Sequence, residues 1–109
     1  FVYSPEPNTK ALALPNPIPF AIAEERRKKL LSLQQKISYE NNKKMLGKKI
    51  EIIVDKCVGE KFSVGRTKFD APDIDNIVEI ESRRALSPGN IIEGKIISAK
   101  KYSVKAIFA

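Results

Sequence analysis

Residues 48–109 contain five short segments rich in β-branched residues, and this succession constrains the fold more than any other feature of the chain. We predict strands at residues 49–55, 61–67, 76–81, 91–99 and 103–108. Before the fourth strand, Ser87-Pro88-Gly89-Asn90 indicates a tight turn. Gly94, within that strand, predicts a bulge or a barrel corner. Short strands at such intervals favour a five-stranded OB-like barrel.

One long helix precedes the strands, and we predict it over residues 20–46. Pro19 suits the start of a helix and Gly47 suits its end. Apolar side chains recur along the segment at helical spacing, namely Ala23, Leu30, Leu33 and Ile37. Residues 1–19 hold five of the seven prolines, which excludes a helix interior there. The predicted fold is therefore mainly β with one long N-terminal helix.

The chain is basic, with 20 Lys and Arg against 13 Asp and Glu and a net charge of +7. The excess is spread along the sequence and modestly favours an anionic partner such as nucleic acid. The cationic run that begins at Arg26 wraps a full helical turn, so a solvated helix face is the simpler interpretation of that run. The candidate RNA contacts are Arg26, Arg27, Lys100, Lys101 and Tyr102.

The residue types present exclude several kinds of site. The sequence has no histidine and a single cysteine, Cys57, so it lacks a triad base, an internal disulfide and a cysteine-based metal site. We therefore predict no catalytic and no metal-binding residues in the chain itself. No apolar run is long enough to span a membrane and no secretory leader is visible, so we expect a cytoplasmic monomer. Because the first residue is Phe1, we expect a part of a longer protein.

The connection between the second and third predicted strands has a distinctive composition. It reads Gly65-Arg66-Thr67-Lys68-Phe69-Asp70-Ala71-Pro72-Asp73-Ile74-Asp75. Gly65 permits backbone conformations that other residues resist, and Pro72 fixes its own φ. Charged loops on a β scaffold are frequent recognition sites, although Asp and Pro also serve as ordinary turn formers. The residue types alone are consistent both with a recognition loop and with an ordinary connection between two strands.

This loop resembles the hallmark of the C-terminal TRAM domain in the RimO-type methylthiotransferase family. The residues that carry the resemblance are Gly65-Arg66-Thr67 and Asp70-Ala71-Pro72-Asp73-Ile74-Asp75, with further matches at Tyr3-Ser4-Pro5-Glu6, Glu25-Arg26-Arg27, Asn42 and Pro88-Gly89. Asn76 stands where the family usually has Gly, and Asn tolerates the same left-handed conformation.

The resemblance implies an organisation in three segments. Residues 1–19 would be the end of a radical S-adenosylmethionine barrel, 20–47 a connector helix and 48–109 the TRAM barrel. The parent enzymes use S-adenosylmethionine and two 4Fe-4S clusters, one of them held by a three-cysteine motif that this chain lacks. The chain alone would therefore be non-catalytic and without cofactors.

The resemblance also implies a substrate, an aspartate of small-subunit ribosomal protein twelve. The expected substrate-binding residues are Gly65, Arg66, Thr67, Lys68, Asp70, Pro72, Asp73 and Asp75. An acidic loop suits a basic ribosomal protein and repels RNA phosphate. Two alternatives stay open: an RNA-binding TRAM module of a tRNA methylthiotransferase, and a purely structural tail.

Overall fold

The computed structural model describes residues 1–109, which form two compact units, Phe1–Gln34 and Gln35–Ala109. A short 3₁₀ helix occupies Lys10–Ala13, and the one α-helix, α1, spans Phe20–Lys43. The strands are β1 (Lys49–Cys57), β2 (Phe62–Arg66), β3 (Ile77–Ser82), β4 (Ile91–Ala99) and β5 (Ser103–Phe108). The mainly β fold with one long helix is confirmed, whereas the predicted segment boundaries stay predictions.

The five strands close into a barrel in the order β1-β2-β3-β5-β4. β3 and β5 run parallel, and the other neighbouring strands are antiparallel. The predicted five-stranded OB-like barrel is therefore confirmed. Because the barrel is closed, no strand presents a free edge for pairing with another chain. None of the helices combines the length and the hydropathy needed to cross a membrane.

The barrel core is built from alternate residues of four strands. Its members are Ile52, Val54, Val78, Ile80, Ile92, Ile96, Val104 and Ala106. β2 differs, because Phe62 is exposed while Ser63 and Gly65 are buried. The side of β2 that carries Phe62 and Val64 is therefore the outer side. A Cβ on Gly65 would collide with the carbonyl oxygen of Ile53, so only glycine permits this approach of β2 to β1.

One sequence prediction needs correction at the level of the strands, namely a bulge at Gly94, whereas its alternative, a barrel corner, stays a prediction. Gly94 pairs in register with Ile50, and the irregularities of β4 and β1 lie elsewhere, between Ile96 and Ser98 and between Val54 and Lys56. No bulge is present at Gly94. A Cβ there would lie 2.8 Å from Ile52 Cδ1, so close packing across the core is what excludes a larger residue.

The helix ends earlier than its sequence pattern indicates. α1 stops at Lys43, and Lys44–Gly47 form turns closed by bonds such as Met45 N–H to the Asn42 carbonyl at 3.0 Å. Gly47 has a φ of 77°, as predicted for a residue that stops a helix. Its N–H donates to the Ile96 carbonyl at 2.8 Å, which joins the turn to β4.

Candidate docking site

The loop between β2 and β3, residues 67–76, is organised by its own side chains. Thr67 Oγ1 donates to Asp70 Oδ2 at 2.6 Å and accepts from the Phe69 N–H at 3.2 Å. The Asp70 N–H donates to the Thr67 carbonyl at 3.2 Å, which closes a turn. Thr67 is 2% exposed, so the first half of the loop is anchored inside the barrel end.

The three acids of the loop have different environments. Asp75 Oδ2 accepts from the Ala71 N–H at 2.8 Å, so Asp75 and Asp70 both hold the loop in shape. Asp73 makes no side-chain hydrogen bond or ion pair, and its φ of 60° places it in the left-handed region. Asp and Asn are the non-glycine residues that tolerate this region best. Two of the three acids, Asp70 and Asp75, thus hold the loop in shape, whereas the carboxylate of Asp73 has no partner.

The other predicted binding residues of the motif differ in burial and in how their charges are compensated. Gly65 is buried at close approach and does not adopt the left-handed conformation. Arg66 Nε lies 3.3 Å from Asp55 Oδ1, so its charge is already compensated by a neighbouring strand. Lys68 and Pro72 are exposed, and Lys68 Nζ lies 5.3 Å from the centre of the Phe69 ring. Their role in binding stays a prediction.

A buried amide pair fixes the end of the loop. Asn42 on α1 is fully buried; its Nδ2 donates to Asn76 Oδ1 at 3.1 Å, and Asn76 Nδ2 donates to Asn42 Oδ1 at 2.8 Å. Asn42 Nδ2 also donates to the Lys100 carbonyl at 2.8 Å. Asn76 is therefore held by its side chain, and the left-handed conformation expected for it belongs to Asp73 instead. We call Asn42, Asn76 and the Lys100 carbonyl the amide clasp.

The clasp brings the turn between β4 and β5 next to the loop. The Ile77 N–H donates to the Tyr102 carbonyl at 3.2 Å, and Ser38 Oγ donates to the Lys101 carbonyl at 2.5 Å. Lys100 Nζ lies 3.2 Å from Glu79 Oε1, so its charge is compensated, whereas Tyr102 is 50% exposed. Two sets of predicted site residues, the loop and Lys100–Tyr102, thus share one end of the barrel.

Arg26 and Arg27 belong to the other unit, residues 1–34. Arg27 Nε donates to Glu24 Oε2 at 2.8 Å. This hydrogen bond holds the pKa of Glu24 below its ordinary value and raises the pKa of Arg27. Arg27 is therefore engaged within its own helix, and Arg26 stays exposed.

The sequence analysis does not predict the amide clasp, although the spacing of two polar residues on α1 indicates a contact there. Ser38 and Asn42 stand four residues apart, so they lie on the same side of α1. Both donate to carbonyls of the turn between β4 and β5. Two short polar side chains at this spacing, on a helix that must pack on a barrel, indicate a polar contact with that barrel.

The side chains at this end of the barrel can form hydrogen bonds and ion pairs with a partner. Nowhere in the chain do three or more His, Cys, Asp or Glu side chains cluster in a way that could hold a metal ion. Cys57 is exposed, and its Sγ lies 2.9 Å from the Leu86 carbonyl. The loop offers the exposed carboxylate of Asp73 on a backbone held by hydrogen bonds, which suits a cationic partner.

The chain is similar to known proteins along nearly its whole length. The chain is 40% identical to ribosomal protein uS12 methylthiotransferase RimO of Aquifex aeolicus over 95% of this chain and 24% of that protein. It is 41% identical to the protein of the same name from Carboxydothermus hydrogenoformans, over 99% and 25%. For a protein of that name from Thermus thermophilus the identity is 36%, over 100% and 25%. The chain thus spans about a quarter of the length of these relatives.

A family model for the TRAM domain matches residues 46–108, which include every strand of the barrel. The matched region also contains the loop at residues 67–76 and the turn that carries Lys100. This chain therefore belongs to the TRAM domain family.

Proposed function

We propose that this chain is the substrate-docking part of a methylthiotransferase that modifies ribosomal protein uS12. Its relatives carry that activity in their names, and each of them matches 95% or more of this chain. The observation that carries the proposal is the loop at residues 67–76, which holds a free carboxylate, Asp73, on a backbone fixed by Asp70, Asp75 and the amide clasp. The whole protein would act as a cytoplasmic monomer.

Electrostatics favour a basic protein at this loop. The loop contains three Asp and one Lys, a local charge of −2 in a chain whose net charge is +7. Opposite charges across an interface raise the association rate and exclude wrong partners more than they raise affinity. An RNA phosphate would meet repulsion at Asp73, whereas a lysine or arginine of a ribosomal protein would meet attraction.

The chemical step would be carried out elsewhere in the parent enzyme. The family uses S-adenosylmethionine and iron–sulfur clusters for sulfur insertion, and a 4Fe-4S cluster is held by cysteine thiolates. This chain has one cysteine, Cys57, which is exposed and has no second sulfur ligand to accompany it. Its residues do not fit a cluster, so we assign it no catalytic step.

The test is binding of purified uS12 and of bulk tRNA to the 109-residue chain, side by side at physiological salt. Asp73→Asn removes one charge without breaking a loop hydrogen bond and is expected to weaken uS12 binding by about two- to fivefold, the effect of an exposed ion pair. Glu60→Gln changes another exposed acid, in the turn between β1 and β2; it is the matched control and should leave binding unchanged. Changing Asp70, Asp73 and Asp75 together to Asn should weaken it further.

Two results would overturn the proposal. One is uS12 binding that is the same in the wild-type chain and the triple variant. The other is a preference for tRNA that is unchanged or improved in the triple variant, which would favour the RNA-binding module of a tRNA methylthiotransferase.

A further inference from the structure

Two large apolar side chains of the loop at residues 67–76 are exposed to solvent. Phe69 is 74% exposed and Ile74 is 82% exposed, the highest values among the large apolar side chains of residues 35–109. Neither belongs to the core of the barrel, and neither is among the substrate-binding residues expected from the motif. We call Phe69 and Ile74 the apolar pair. Apolar side chains grouped on an exposed loop are typical of a surface that another molecule covers.

The apolar pair stands on a backbone that hydrogen bonds hold in place. The Phe69 N–H donates to Thr67 Oγ1 at 3.2 Å, and Thr67 is itself buried. The Asp75 N–H donates to the Ala71 carbonyl at 3.3 Å, which closes a turn around Ile74. Both side chains are therefore held out at set positions, and a partner that covers them loses little free energy in ordering the loop.

An aromatic ring and a negative charge accompany the apolar pair. Tyr102 is 50% exposed, and its carbonyl accepts from the Ile77 N–H, directly after the loop, at 3.2 Å. Asp73 precedes Ile74 and is exposed, and the loop carries a local charge of −2 from three Asp and one Lys. Such a surface is complementary to a protein segment that carries both apolar and cationic side chains.

We propose that the apolar pair determines which protein segment the loop accepts. Phe69 and Ile74 would each contact an apolar side chain of that segment, and Asp73 would pair with a lysine or arginine beside it. A few well-packed side chains supply most of the free energy of an interface, whereas charges chiefly raise the association rate and exclude wrong partners.

A protein segment fits this surface better than RNA does. RNA phosphates would meet the negative charge of the loop, and Ile74 offers no ring on which a base could stack. The inference rests on the proposed docking of uS12 at this loop. It adds the chemistry that the docked segment must have, namely a cation flanked by apolar side chains.

The first test measures binding of purified uS12 to the 109-residue chain over a range of salt concentrations. Phe69→Ser combined with Ile74→Ser should raise Kd about tenfold or more. The dependence of Kd on salt should not change, because the double variant removes no charge. Asp73→Asn should instead lower the salt dependence, with a rise in Kd of only about two- to fivefold.

The chain offers a matched control at the ends of β2 and β4 that are remote from the loop. Phe62→Ser combined with Ile91→Ser removes the same two kinds of exposed side chain there and should change Kd by less than about twofold. Circular dichroism should give both double variants a Tm close to that of the wild-type chain, because none of the four side chains lies in the core.

Two peptides test the inference without any substitution. Amide shifts of the ¹⁵N-labelled chain are recorded with acetyl-Leu-Lys-Leu-Lys-Leu-amide and with acetyl-Ser-Lys-Ser-Lys-Ser-amide, which carry the same charge. The leucine peptide should shift residues 67–76, and the serine peptide should shift them less than about half as much at the same concentration.

The inference is overturned by equal losses of uS12 affinity in the two double variants, or by equal shifts with the two peptides. It is also overturned if the apolar pair is needed only for binding of tRNA, or only for a dimer of the free chain in sedimentation. A loss of uS12 affinity in Asp73→Asn but not in the apolar-pair variant would refute the inference and leave the docking proposal standing. If uS12 does not bind the wild-type chain, the docking proposal fails, and the peptide shifts decide the inference.

Discussion

Asn42→Ala is the substitution whose cost can be worked out most directly from the structure. The change removes the donor of three hydrogen bonds, to Asn76 and to the Lys100 and Lys101 carbonyls, and the acceptor of a fourth from Asn76. Each intramolecular hydrogen bond contributes about 1 kcal/mol net, and a buried polar group left without a partner costs about 1 to 3 kcal/mol. Because Asn42 is fully buried, we expect the variant to lose about 2 to 4 kcal/mol.

This loss is large relative to the stability of so small a unit. Residues 35–109 would have a free energy of unfolding of about 4 to 11 kcal/mol at the usual 0.05 to 0.15 kcal/mol per residue. For domains of this size, 1 kcal/mol shifts Tm by about 4 to 8 °C. Urea denaturation followed by circular dichroism, with Tm from calorimetry, measures both quantities.

The chain offers a matched control one residue away. Asn41 is exposed on the same helix, and its Oδ1 accepts only a long contact from Lys44 at 3.4 Å. Asn41→Ala should change stability by less than about 0.5 kcal/mol, because it alters helix propensity without uncovering a buried group. Both substitutions make the same chemical change, so their difference isolates the clasp.

A double-mutant cycle with Asn76→Ala tests the reciprocal pair itself. Residues in direct contact show coupling energies of about 0.5 to 3 kcal/mol, and we expect Asn42 and Asn76 to fall in the upper half of that range. The reasoning is refuted if Asn42→Ala costs no more than Asn41→Ala, or if the losses from the two clasp substitutions simply add.

Three further outcomes follow from the structure. Gly65→Ala should destabilise the barrel by more than about 2 kcal/mol in urea denaturation, because the new Cβ meets the backbone of Ile53 and backbone cannot move aside cheaply. Asp70→Asn should cost about 1 kcal/mol and raise amide exchange in residues 67–76, since it weakens the bond from the threonine hydroxyl. The lowered pKa of Glu24 stabilises the helix only while the carboxyl is ionised, so helicity should fall as the pH drops below about 4.5 and through the folded pKa. Glu24→Gln should remove that part of the pH dependence, whereas a pH profile unchanged by it would contradict the pairing with Arg27.

The sequence predicts the strands well where strong turn signals enclose an alternating pattern. β4 and β5 have the predicted bounds, because Pro88-Gly89 and Lys100-Lys101 mark the breaks on either side. β1 extends two residues further, to Cys57, since a shift in its pairing with β2 after Val54 carries it past the predicted end. Such a shift depends on the partner strand and cannot be inferred from one strand alone.

Which side chains of a strand face the core is harder to predict than where the strand begins and ends. β2 has its largest apolar side chain, Phe62, on the outside, because the inner side of this strand is occupied by Ser63 and Gly65 where β1 approaches most closely. Local hydrophobicity would place the larger side chains inside. The requirement for a small residue at Gly65 comes from the position of Ile53, and only the closed barrel reveals it.

The sequence predicts the loop as a candidate site, but it does not predict the different hydrogen bonds of its three acids. Composition singles out three acids equally, whereas hydrogen bonds divide them into Asp70 and Asp75, which shape the loop, and Asp73, which is free.

The order of the loop before binding affects the affinity of the proposed docking. A flexible loop loses conformational entropy when a partner orders it, and this loss subtracts from affinity. Residues 67–76 are already ordered by Thr67, by Asp75 and by the amide clasp at Asn76, so in the proposed docking the carboxylate of Asp73 would act from a fixed position. Asn42 variants therefore test the support of the loop, and Asp73 variants test its proposed contact with uS12. Loosening the support should weaken uS12 binding, even though Asn42 is fully buried.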